Sequence, residues 1–279
     1  MKIVARIVLA IVLVAVVLYF GALGFLYVKQ RDYQYFPGGE LTALNQTGLT
    51  RAQAVGIPTE GGATLGAWYA PPVGNKPVIL YYKGNTASFS AEHERFKAWE
   101  AAGYGFLAFD YRGFPASPGT ISQEAILADS LAVFDWLGER GGRIVIWGRS
   151  LGTGPATFVA SRREADALLL ETPFLSAVSV AAERYPFFPV SWVMKDPFPS
   201  NQWMKLVEEP VFIAHGTADR TIDVSNGERL YQLVPHKYDL WIEPGADHSD
   251  LWARGIWARA QTFFEDAEYG IQGGAGAAP

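Results

Sequence analysis

The chain has 279 residues, 49% of them hydrophobic and 18% charged, with 29 Gly, 17 Pro and no Cys. That composition excludes a disordered or fibrous protein. Lys and Arg total 23 against 28 Asp and Glu, a net charge of −5 with no basic run, so no nucleic-acid partner is expected. Without Cys there is no disulfide, no Cys-ligated zinc and no cysteine nucleophile.

The chain opens on an apolar stretch. From Ile7 to Val28 there are 22 residues without a formal charge. A helix of that length is ~33 Å long, which matches a hydrocarbon core of ~30 Å. The run is longer than the usual core of a secretory signal and continues past the small residues Ala22 and Gly24, so residues 1–30 read as an uncleaved membrane anchor. A cleaved signal is the alternative. Lys2, Arg6 and the α-amine precede the span and Lys29 and Arg31 follow it, a balance that puts the N-terminus in the cytoplasm and the rest outside it. Tyr19, Tyr27, Tyr33 and Tyr35 fall near the far interface, and the span itself carries none of the chemistry.

Residues 31–50 read as a polar connector. Strands follow at Thr64 to Ala70 and Val78 to Tyr82, separated by Pro71-Pro72 and Gly74-Asn75. Then come a helix from Ser90 to Ala102, a strand Gly105 to Asp110, a helix Gln123 to Arg140 and an apolar strand Arg143 to Trp147. The pattern continues with a helix Gly152 to Arg162, strands Ala167 to Glu171 and Val211 to His215, a helix Ser225 to Leu233, a strand Tyr238 to Ile242 and a closing helix Trp252 to Glu268. Such alternation predicts an α/β fold: a mostly parallel central sheet with helices on both faces. Residues 172–205 interrupt it with seven aromatics and five prolines, too apolar for a plain solvated loop. They form either extra core helices or a cap over a pocket, and Phe187, Phe188 and Trp192 are the candidate acyl-chain contacts. Residues 270–279 are a Gly/Ala tail.

Directly after Ile144-Val145-Ile146 stands Gly148-Arg149-Ser150-Leu151-Gly152, a Gly-x-Ser-x-Gly in strand–turn–helix context. The sharp turn lifts the Ser150 hydroxyl above the sheet and sets helix N-terminal N–H groups beside it. A serine needs a base, which in this chain order follows both the serine and the acid. His93 lies on a solvated helix face, His215 is a loop-packing residue before the acid, and His236 sits at the wrong end of the sheet. His248, just beyond the last strand, remains as the base. The acid belongs in the loop after the preceding strand, where Asp219 is preferred to Asp223. Leu151 and Asn85 supply the two backbone N–H groups for an oxyanion, with Gly84 allowing close approach. No metal-ligand spacing or phosphate loop is present, so neither a metal nor another cofactor is expected.

These residues resemble the α/β-hydrolase superfamily, and within it the single-pass, membrane-anchored serine hydrolases that include depalmitoylase-like and lysophospholipase-like enzymes. The likeness runs through Gln30-Arg31, Tyr35-Phe36-Pro37, Gly84-Asn85, Asp110-Tyr111-Arg112-Gly113-Phe114 with Ser117 and Gly119, the Ser150 turn, His215-Gly216-Thr217-x-Asp219 and His248. It implies an α/β-hydrolase domain over residues 51–269 and a triad of Ser150, Asp219 and His248. Two positions depart from the pattern. Lys83 stands where the family usually has His in its oxyanion loop, and Asp223 stands where proline is common. The expected function is hydrolysis of a carboxylic ester or thioester of a small-molecule or lipid-like acyl substrate. A serine peptidase of the same fold and a catalytically silent membrane-tethered interaction module are the alternatives; the oligomeric state is left open.

Overall fold

The computed structural model describes residues 1–60, 62–268 and 270, so most of the Gly/Ala tail lies outside the described residues. Its elements in chain order are α1 (Lys2–Gln34), β1 (Gln53–Pro58), β2 (Thr64–Ala70), β3 (Val78–Tyr82), α2 (His93–Ala101), β4 (Gly105–Phe109), α3 (Gln123–Gly138), β5 (Ile144–Arg149), α4 (Thr153–Ala160), β6 (Ala167–Glu171), α5 (Ala177–Arg184), α6 (Val190–Val193), α7 (Ser200–Trp203), β7 (Val211–Gly216), α8 (Val224–Gln232), β8 (Lys237–Glu243) and α9 (Ile256–Glu268).

The eight strands form one sheet in the order β1-β2-β4-β3-β5-β6-β7-β8. β2 runs antiparallel to both neighbours and the rest are parallel. β3, β4 and β6 are buried along their whole length, which is why they read as unbroken apolar runs: helices cover both faces. Phe134 of α3, Val159 of α4 and Leu230 of α8 fill one side. On the other, Phe96 and Trp99 of α2 and Phe263 of α9 pack with Trp147.

Three elements differ from the sequence reading. β1 has no counterpart in it, because this edge strand buries Ile57 alone and so lacks a clear alternation. The closing helix begins at Ile256, since Gly255 at φ +96° interrupts helical geometry after Trp252. The connector is also less independent than its polarity implied. α1 continues to Gln34, and Tyr35 is buried behind it.

That burial follows from one carboxylate. Asp196, 2% exposed, accepts from Arg31 Nε at 2.8 Å, from the Tyr35 hydroxyl at 3.0 Å and from the Gln123 N–H at 3.0 Å. It thereby ties the end of α1 to the 172–205 insertion and to the start of α3. Gln34 adds a bond to the Asp196 carbonyl at 3.0 Å. Arg31 is 37% exposed and keeps access to water without Asp196, whereas the Tyr35 hydroxyl and the Gln123 N–H lose their acceptor, a cost on the order of 1–3 kcal/mol. Asp196→Ala is therefore expected to lower stability by that amount and to speed tryptic cleavage after Arg31 and Lys195 by loosening the backbone around them, as read by urea unfolding and timed proteolysis of the full chain.

Candidate active site

The C-terminal ends of the parallel strands deliver the site residues to one edge of the sheet, where open α/β sheets bind ligands. Ser150 follows β5 and has φ +51°, a left-handed backbone that an L-residue adopts only under tertiary constraint. Packing supplies the constraint. A Cβ on Gly148 would lie 2.6 Å from that of Ala156, and one on Gly152 would run into the Tyr82 carbonyl, so both flanking positions accept glycine alone. Gly84 is different, for a Cβ there would meet Ser150 Cβ at an ordinary 3.8 Å, and its expected close approach is not required.

Ser150 Oγ lies 2.8 Å from His248 Nε2, and His248 Nδ1 lies 2.7 Å from Asp219 Oδ2. With Asp219 ionised, Nδ1–H donates to the carboxylate and Nε2 is left to accept from the serine hydroxyl. Burial alone would raise the Asp219 carboxyl, but hydrogen bonds from His215, His248 and the Ile222 N–H outweigh it and hold the group well below the usual carboxylate range. Asp223 takes no part: it caps α8 by accepting from Ser225 N–H at 3.0 Å. Asp247 is engaged by Arg220 at 2.7 Å, and its own N–H bonds Asp250. His93 bonds the Ser90 carbonyl on the α2 surface, and His236 is exposed before β8.

His215 does more than pack a loop. Fully buried, its Nε2 faces the Ile222 carbonyl at 2.9 Å and Asp219 Oδ2 at 3.2 Å, so it helps hold the carboxylate. Arg149 is a second residue whose part the sequence did not assign. Its guanidinium joins Glu171 at 3.5 Å and Glu92 at 3.7 Å below the sheet edge, and donates to Ser249 Oγ at 3.0 Å beside His248. The Ser150 turn and the His248 loop are thus braced by one charge network. Its only sequence signal is the arginine standing between Gly148 and Ser150.

Ser150, Leu151 and Asn85 open into a cavity of about 310 Å³. Leu151 stands in the first turn of the helix after Ser150, where backbone N–H groups have no partner inside the helix. The Asn85 N–H donates to no group among the described residues, while its carbonyl accepts from Phe36 and its side chain donates to the Gln34 carbonyl. The walls correct the expectation for the aromatic insertion. Phe188 lines the cavity, with Val180, Val190 and Val193, but Phe187 and Trp192 are 84% and 88% exposed on the outer surface. They point away because α1 occupies the opposite wall: Leu23, Leu26 and Tyr27 face the insertion. The apolar span is therefore part of the site and not a tether alone.

No family model matches the chain. It is 31% identical over 236 residues to an uncharacterized protein of Mycobacterium tuberculosis, covering 82% of this chain and 84% of that one. It is 36% identical over 211 residues to the lysophosphatidylserine lipase ABHD12 of Rattus norvegicus, covering 66% of this chain and 53% of the lipase. The chain thus spans about half the length of that relative. Among solved structures, an esterase of Pyrococcus furiosus superposes with a TM-score of 0.67 at 19% identity, over 84% of this chain and 97% of its own. The chain belongs to the α/β-hydrolase superfamily.

Within the superfamily's framework, Lys83 solves a local problem. It is 1% exposed, and its ammonium donates to the carbonyls of Ala87 at 2.8 Å, Thr86 at 3.2 Å and Gly84 at 3.3 Å, wrapping the Asn85 loop around one charge. The Phe114 ring lies 3.6 Å away and Asp110 3.8 Å away, while the Tyr111 hydroxyl bonds the Lys83 carbonyl at 2.9 Å. The Asp110-Tyr111-Arg112-Gly113-Phe114 motif is the cradle of that lysine. Burial pushes Lys83 down to about 8, against the opposing pull of Asp110 and Glu92. An unfolded lysine titrates near ~10.4, so between these values the unfolded chain holds a proton that the native chain has released, and stability rises with pH. The urea midpoint of the wild type is expected to gain between pH 7.5 and pH 10 relative to Lys83→Met, whose midpoint lacks this increment; equal pH profiles would contradict the assignment.

Proposed function

We propose that the protein is a serine hydrolase that cleaves the ester or thioester of an apolar acyl substrate through an acyl-enzyme. The observation that carries this reading is the hydrogen-bonded line Ser150–His248–Asp219, at 2.8 and 2.7 Å, set at the floor of an apolar cavity. Ser150 attacks the acyl carbonyl while His248 takes its proton and Asp219 stabilises the imidazolium. The N–H groups of Leu151 and Asn85 receive the developing oxyanion. His248 then protonates the leaving alcohol or thiol, and water repeats the cycle on the acyl group. The intact Lys83-braced loop favours this over a silent interaction module. Membership of the superfamily, and a rat relative named for lipase activity on lysophosphatidylserine, favour an acyl ester over a peptide.

In the same reading α1 crosses a membrane, for it is long and apolar enough to do so. Residues 1–30 are the anchor, and residues 51–269 form the hydrolase domain on the extracytoplasmic side, opposite a cytoplasmic N-terminus. The cavity lies at the lower end of the ~300–1,000 Å³ found for small-molecule sites, which favours a lipid with one acyl chain.

Ser150→Ala or His248→Ala is expected to abolish turnover and Ser150→Ala to abolish labelling by a fluorophosphonate, the double variant being little worse than either alone. Asp219→Asn should slow turnover by ~10³–10⁴-fold. Asp223→Asn, which touches only a helix cap, should leave rates near those of wild type. The reverse order would move the acid role to Asp223.

Each buried methylene is worth ~0.8 kcal/mol, so kcat/KM on p-nitrophenyl esters should rise up to roughly fourfold per methylene until the cavity is full. Phe188→Ala and Leu26→Ala should flatten that profile while sparing the acetyl ester. Equal losses on acetyl and longer esters would place the acyl pocket elsewhere.

A further inference from the structure

Between Arg184 and Lys195 the chain reads Tyr-Pro-Phe-Phe-Pro-Val-Ser-Trp-Val-Met, ten residues without a formal charge. A cap that packed only on the hydrolase core would bury its largest apolar side chains. Here Phe187 and Trp192 stand 84% and 88% exposed. Large exposed aromatics on a protein surface call for a partner.

The contacts of this segment with α1 identify that partner. At its tip, the Tyr19 hydroxyl donates to the Phe187 carbonyl at 2.9 Å, and the Tyr19 ring stacks on Phe188 with centroids 5.4 Å apart. Higher along the helix, Gln30 bonds the Val193 carbonyl at 3.2 Å and accepts from the Lys195 N–H at 2.7 Å, with Lys195 Nζ 4.2 Å over the Tyr27 ring. At the top, Arg31 pairs with Asp196. The segment therefore runs alongside α1 for the ~18 Å of helix between Tyr19 and Arg31.

Charge follows the same axis. Lys29, Arg31, Asp32, Lys195 and Asp196 make a shelf at the upper end, and neither the α1 stretch from Tyr19 to Val28 nor residues 185–194 carry a formal charge; Arg6 on α1 and Arg184 before the segment lie outside these two stretches. On the side of α1 away from the insertion, Phe20, Phe25 and Val28 are 63%, 56% and 70% exposed. Any layer that takes up those residues also reaches Phe187 and Phe188, which lie level with Tyr19, nine residues or ~13 Å below Val28.

In such a layer an unpaired polar group has no water to turn to, and much of this segment's backbone is already paired. Pro186 and Pro189 carry no N–H. Those of Phe188, Val190, Trp192 and Met194 are bonded within the segment, and α1 side chains satisfy the carbonyls of Phe187 and Val193.

We propose that residues 185–194 are a second membrane-embedded element beside α1, and that the cavity between the two admits its substrate sideways from the bilayer. The occupant of the exposed face is the hydrocarbon layer that the anchor itself crosses. Lateral access rests on the serine-hydrolase reading above; embedding of the segment does not. The substrate class narrows to esters resident in a lipid leaflet, whose chain slides between Leu26 and Phe188 toward Ser150.

The full chain in phosphatidylcholine vesicles tests both parts. Since the protein has no Cys, Ser191→Cys provides a unique nitroxide site, and Glu228→Cys on exposed α8 provides the aqueous control. The ratio of oxygen to nickel-chelate accessibility should be at least tenfold higher at 191 than at 228; equal ratios overturn the embedding. In a second arm, Phe187→Glu with Trp192→Glu should lower kcat/KM at least tenfold on a monoacyl ester held in vesicles. Labelling by a fluorophosphonate and hydrolysis of p-nitrophenyl acetate should stay unchanged, which also verifies folding. Equal loss on both substrates, or none on either, overturns lateral access. Should the double variant fail to fold, the nitroxide ratio still decides the embedding. Failure of wild-type Ser150 to label would remove the hydrolase reading and lateral access with it, while the embedding would still stand or fall on the accessibility ratio.

Discussion

A carboxylate withdrawn from water has to be paired, and the way Asp196 is paired fixes how three parts of this protein meet. Arg31 and Tyr35 reach it from the end of the apolar helix, Gln123 from the helix after the antiparallel–parallel junction of the sheet, and Asp196 itself belongs to the aromatic insertion. With those partners engaged, Leu23, Leu26 and Tyr27 face Phe188, and the space left between them is the cavity over Ser150. A first helix attached by a loose linker would leave that cavity without a wall.

The same junction reaches the oxyanion loop. Asn85 bonds Gln34 through its side chain and Phe36 through its carbonyl, and Phe36 pairs with Thr86 in a short parallel bridge. Lys83 holds the loop from beneath by three carbonyl bonds. The N–H of Asn85 is thus fixed from both sides, by a buried ammonium and by the segment leaving α1. At the nucleophile, Ser150 carries its strain at φ +51°, where the small neighbours and the Arg149 network tolerate it.

Local pattern carried much of this. The buried parallel strands announced themselves as β-branched and apolar runs, and β2, β3 and β6 have the limits their sequences imply. Ser150, Asp219 and His248 were legible because chain order around a Gly-x-Ser-x-Gly turn restricts which histidine and which carboxylate can follow. Features that depend on a partner distant in sequence were not legible. Nothing near Arg31 signals Asp196, 165 residues away. Phe187, Phe188 and Trp192 look alike in sequence, yet Phe188 alone faces the cavity, because the wall that sorts them is contributed by the first helix. Lys83 read as a departure from a family pattern; its three carbonyl partners lie within four residues, but its burial against Phe114 and Asp110 is tertiary.

The proposed acyl channel lies between the first helix and the insertion and ends at Ser150. A structure of the full chain inactivated by a long-chain alkyl fluorophosphonate tests it directly. The alkyl chain is expected between Leu23, Leu26 and Tyr27 on one side and Phe188 and Val193 on the other, with the phosphoryl oxygen bonded to the N–H groups of Leu151 and Asn85. An alkyl chain that leaves Ser150 by any path not bordered by the first helix would contradict that channel.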